Sequence, residues 1–92
     1  MDTKVTDVII DRAFEIVGLQ PTGQEHTFIG KNGFRIWYFY RGSTSDIWAK
    51  GYNKITIRYE AHGTWQDKNV FLKGITTAKV VKALKEHAGA YL

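Results

Sequence analysis

Residues 34–41 read Phe34-Arg35-Ile36-Trp37-Tyr38-Phe39-Tyr40-Arg41, a run of aromatic, β-branched and basic side chains with no glycine or proline. That composition favours a strand, and period-2 geometry splits it into two faces. Phe34, Ile36, Tyr38 and Tyr40 fall on one, and Arg35, Trp37, Phe39 and Arg41 on the other. The arginines mark the second face as the outer one, because unpaired charges are rarely buried.

Outward from this strand, the same period recurs at 54–62. Ile55, Ile57, Tyr59 and Ala61 form the apolar set, and Lys54, Thr56, Arg58, Glu60 and His62 the outer one. A weaker strand is expected at 26–29, joined to the first by the turn signal Gly30-Lys31-Asn32-Gly33. Residues 42–53 read as a polar connection containing Ile47 and Trp48, 63–68 as a turn, and 69–73 as a last short strand.

Both ends carry the helical period. Val5, Val8, Ile9, Ala13, Phe14, Ile16 and Val17 make one stripe, which Gly18 and Pro21 terminate. Val80, Val81, Leu84 and Ala88 make a second, with Thr76 or Thr77 placed to cap it. Helices are thus expected over 5–18 and 77–88. The fold expected is a single α+β domain over 1–92: an antiparallel three- to four-stranded sheet flanked by an N-terminal and a C-terminal helix on one face. Val8 or Ile9, Phe14, Val17, Ile36, Tyr38, Ile55, Ile57, Val81 and Leu84 are its expected core.

Composition narrows the function. The chain has 92 residues and no cysteine, which removes disulfides, thiolate metal sites and thiol nucleophiles. Its start, MDTKVTDVIIDRAF, has no apolar run longer than Val8-Ile9-Ile10, so neither a signal peptide nor a membrane span is expected. A cytoplasmic location is. The net charge of +4 is unevenly spread: residues 1–25 carry net −3 and residues 26–92 net +7. A clustered basic surface attracts polyanions.

Aromatic rings interleaved with cations suit a platform for single-stranded nucleic acid, where bases stack and phosphates are neutralised. The first expectation is therefore a non-enzymatic nucleic-acid-binding domain. Its contacts would be Arg35, Trp37, Phe39, Arg41, Lys54 and Arg58 on the sheet, with Lys79 and Lys82 on the second helix. The alternative is a small protein-binding inhibitor or adaptor of the kind phages and mobile elements encode. Trp37, Phe39, Trp48 and Trp65 would then anchor the interface, since Trp, Tyr and Arg dominate binding hot spots. A homodimer fits either reading.

Catalytic and metal chemistry are not expected, nor is a cofactor. His62, Glu60 and Arg58 share an alternation that a small ribonuclease would use, yet one His and one Glu on a strand form a pair that chance often supplies. Asp7, Asp11 and Glu15 line one helix face at i, i+4 and i+8 without a supporting histidine, and read as solvated. The helix–strands–helix order resembles that of double-stranded RNA-binding domains in topology. The lysine cluster opening that family's last helix would fall at 74–79, where only Lys79 is basic, and the Gly-Pro-x-His loop is absent.

Overall fold

The first helix, α1, covers Thr3–Ile16 and ends where its sequence runs out of helix formers. Gly18 adopts φ +98°, a conformation that a Cβ disfavours. Its N–H donates to the Glu15 carbonyl at 3.0 Å, and the Leu19 N–H to that of Phe14 at 3.2 Å. This Schellman closure satisfies the last carbonyls and turns the chain toward the sheet. The computed structural model describes residues 3–43 and 52–92, with side chains over 6–40 and 52–92.

Five strands follow: β1 (Gln20–Pro21), β2 (Thr27–Ile29), β3 (Arg35–Ser43), β4 (Asn53–Ala61) and β5 (Thr64–Leu72). They pair antiparallel in chain order, β1-β2-β3-β4-β5. Helix α2 (Thr77–Ala88) closes the fold, and the Thr76 hydroxyl accepts from the Lys79 N–H at 3.2 Å as its cap. The expected α+β architecture is the one observed, with one strand more at the short N-terminal edge.

The two long registers fix the faces. Ile36 lies opposite Tyr59, Tyr38 opposite Ile57 and Tyr40 opposite Ile55. These residues meet Ile10, Ala13 and Phe14 of α1 and Val80, Ala83, Leu84 and Ala88 of α2 in one cluster. Both helices therefore cover the same side of the sheet. The Tyr38 and Tyr59 hydroxyls are satisfied within it: Tyr38 donates to Asp11 Oδ1 at 2.7 Å, and Tyr59 to the His87 carbonyl at 2.9 Å.

Three local readings are corrected. Residues 63–68 are not a turn: His62 (φ 54°) and Gly63 (φ 78°) alone make it, and β5 starts at Thr64. Two central residues with positive φ are what a tight type I′ hairpin requires. Val8 is 61% exposed and Ile9 only half-buried, and Ile10 is buried in their place, because the α1 stripe runs through Thr6, Ile10, Ala13 and Phe14. Asp7 and Asp11 are half-buried, each held in a polar contact, rather than solvated along with Glu15.

Candidate nucleic-acid interface

Direct cross-strand partners point to the same side of a sheet. On the side away from the helices, Trp37 lies opposite Arg58, and Arg58 opposite Asp67. Phe39 lies opposite Thr56, and Thr56 opposite Asn69. Lys54 lies opposite Phe71, and Glu60 opposite Trp65. Strand β5 thus adds Trp65, Asp67, Asn69 and Phe71 to the face read from β3 and β4.

The rings on this face meet solvent. Trp65 is 54% exposed, and Phe39 and Phe71 are each 40% exposed. Trp37 is half-buried and packs edge-on against Trp65, with ring centroids 4.7 Å apart. The face is shaped into shallow depressions. Arg35 and Trp37 line one of about 480 Å³ together with Thr27 and Ile29. Phe39, Lys54, Thr56 and Arg58 line a second of about 420 Å³. A third, of about 440 Å³, runs between the β5 edge and α2, where Phe71 and Asn69 share the lining with Lys79 and Lys82.

The third depression brings helix and sheet together. Lys79 and Lys82, placed in the interface by sequence, share a groove with Phe71, and Lys54 stands across the strand pair from the same ring. Glu86 and His87 also line this groove. Phe71 thus has a lysine as its partner on β4 and two lysines and Glu86 of α2 lining the same groove.

Arg58 is less free than its alternation suggests. Its Nε donates to Asp67 Oδ1 at 2.7 Å and its Nη2 to Oδ2 at 2.9 Å, a bidentate pair. The hydrogen bonds from Arg58 hold the Asp67 carboxyl below the usual carboxylate range and raise the guanidinium in turn. The guanidinium also sits 5.4 Å from the centroid of Phe39, within cation–π reach. The centre of the face is consequently neutralised, while Arg35 stands exposed at one end and Lys54 lies with Phe71 at the other.

Trp48 lies outside the described residues, as does the side chain of Arg41. Between Tyr40 and Ser43 the β3–β4 register slips, so β3 carries one residue more than β4 there. A bulge of this kind interrupts strict alternation. His62 and Glu60 line a separate cavity with Lys31, Arg35 and Tyr91, and His62 Nε2 lies 3.4 Å from the Tyr91 hydroxyl. Arg58 is held by Asp67, and of the three residues weighed together from sequence only His62 and Glu60 line this cavity.

Reading 63–68 as a turn hides Asp67, and Phe71, inside the expected strand 69–73, is not assigned a face from sequence. Their signal is the period-2 set Trp65, Asp67, Asn69 and Phe71. It was obscured because the opposite set, Thr64, Gln66, Lys68, Val70 and Leu72, is polar over its first half. Comparison with protein-family models, with curated proteins and with solved structures found no match for this chain. Among the described residues, no helix is long and apolar enough to cross a membrane.

Proposed function

We propose that this chain is a non-enzymatic domain that binds single-stranded nucleic acid on the open face of its sheet. The observation that carries the reading is Phe71: an exposed ring, opposite Lys54, in a groove shared with Lys79 and Lys82. A base can stack on such a ring while flanking ammonium groups take the phosphates on either side. The depressions around Phe39 and Trp37 offer further steps along the face. A single strand fits better than a duplex, because bases already stacked inside a duplex cannot lie on a flat sheet.

Fluorescence anisotropy with a labelled oligonucleotide tests this. Phe71→Ala is expected to weaken binding by about 1–3 kcal/mol without altering its salt dependence, since stacking is not electrostatic. Lys79→Gln with Lys82→Gln is expected to weaken binding for all sequences alike, because phosphate contacts carry no base information. Equal affinity in all these variants contradicts the assignment.

The second reading, a protein-binding inhibitor or adaptor, draws on a different observation. The Trp37–Trp65 pair sits beside the neutral Arg58–Asp67 pair, an aromatic patch of low net charge. Aromatic anchors within a patch depleted of free charge are the compositional mark of protein interfaces. Binding to a protein partner that Trp65→Ala abolishes, with no oligonucleotide binding at low salt, favours this reading.

A further inference from the structure

Where α1 meets the segment leading into β2, three metal-ligating side chains converge. His26 Nε2 lies 3.2 Å from Asp7 Oδ2 and 3.4 Å from Glu25 Oε1. One ligand atom from each of the three residues lies within 4.8 Å of the other two. We propose that His26, Asp7 and Glu25 form a binding site for a divalent transition-metal ion of the zinc type.

The spacing matches the chemistry. Zinc bonds of about 2.0–2.2 Å at tetrahedral angles place neighbouring ligand atoms roughly 3.3–3.6 Å apart. The two contacts of His26 Nε2 fall in or next to that range. The His26 nitrogen and the two carboxylates bring three ligand atoms within 4.8 Å of one another. A dication between them satisfies all three groups at once.

The imidazole is held in place. Its ring stacks on Tyr38, with centroids 4.5 Å apart and planes 25° from parallel. Tyr38 in turn fixes both sides of the site. Its N–H donates to the His26 carbonyl at 3.2 Å, and its hydroxyl contacts the Asp7 carbonyl at 3.3 Å and Asp11 at 2.7 Å. Tyr38 is thus a positioning residue that binds the β1–β2 loop to the second turn of α1. Such supporting contacts commonly contribute tenfold or more to metal affinity.

The surroundings favour a cation. Asp7, Asp11, Glu25 and His26 line one open cavity of about 450 Å³. Asp7, Asp11 and Glu25 belong to the N-terminal stretch where acids outnumber bases, residues 1–25 with net −3. Three protein ligands in an open cavity leave coordination positions for water or a small anion, as in non-structural zinc sites.

Isothermal titration of the full chain with zinc chloride, in a non-chelating buffer, tests the site. One equivalent is expected to bind, raising the thermal midpoint, with magnesium failing to compete. Binding to the folded state alone stabilises it by mass action. His26→Ala is expected to abolish binding. Glu25→Gln is expected to weaken it tenfold or more, and this variant keeps the fold because Glu25 is 84% exposed and contacts only His26 in the cluster. Absence of binding to the folded wild-type chain overturns the proposal. So does zinc binding that is unchanged in both variants, which places the ion elsewhere.

Discussion

Arg58 on β4 and Asp67 on β5 face each other across the sheet and share two hydrogen bonds of 2.7 and 2.9 Å. Both side chains remain well exposed, so the pair contributes little to stability. Its consequence is electrostatic: it removes one cation from the middle of a face that otherwise carries Arg35 and Lys54.

Asp67→Asn is therefore expected to tighten oligonucleotide binding rather than weaken it. Releasing Arg58 adds a phosphate contact, steepening the salt slope by about 0.7. Anisotropy titrations at several salt concentrations measure both quantities. A weaker complex in this variant would mean that Asp67 itself orders the binding surface.

Leu84 is fully buried between α2 and the sheet, in the cluster that includes Ile10 and Ile57. Leu84→Ala removes its branched methyls and is expected to cost about 2–4 kcal/mol. Urea unfolding monitored by tryptophan fluorescence reads this directly. Val8→Ala, at an exposed position of α1, is expected to cost well under half as much.

The Tyr38 phenol is pushed well above its usual range, first by burial, then by the hydrogen bond to Asp11 and the charges of Asp11 and Asp7. Burial raises Tyr59 in the same direction. The folded state thus holds these protons where the unfolded chain releases them, above about pH 10. The stabilisation is present below that pH and is lost as pH rises beyond it. Tyr38→Phe is expected to flatten the alkaline fall of the thermal midpoint. At neutral pH it should lower stability by about 0.5–1.5 kcal/mol through the lost hydrogen bond. An unchanged alkaline profile contradicts the assignment.

The fold was largely legible because its determinants are local. Clean alternation in β3 and β4 set which face is apolar, and the helical stripes with Thr76 and Gly18 at their ends set α1 and α2. Strand β5 was half-read because its inner face opens with Gln66 and Lys68 and its outer face carries Trp65 and Phe71. That inverts the usual alternation. An edge strand tolerates this, and inward-pointing polar residues on it discourage pairing with other chains.

The candidate face is legible in which residues share it and not in how they pair. Alternation placed Arg35, Trp37, Phe39, Lys54 and Arg58 on one side. It did not show that Arg58 meets Asp67 nine residues later, a contact made by the His62–Gly63 hairpin register. Nor did it bring His26 to Asp7, 19 residues apart, because that contact depends on how α1 packs across β2 and β3.

The salt dependence of oligonucleotide binding tests the central proposal most directly. Arg35, Lys54, Lys79 and Lys82 supply four cations, so the logarithm of the affinity for a single-stranded oligonucleotide is expected to fall with the logarithm of salt with a slope of about −3. Lys54→Gln, Lys79→Gln and Lys82→Gln together should bring that slope near −1. Failure of the folded chain to bind at low salt, or a slope unaffected by the triple substitution, would contradict the assignment of this face to nucleic acid.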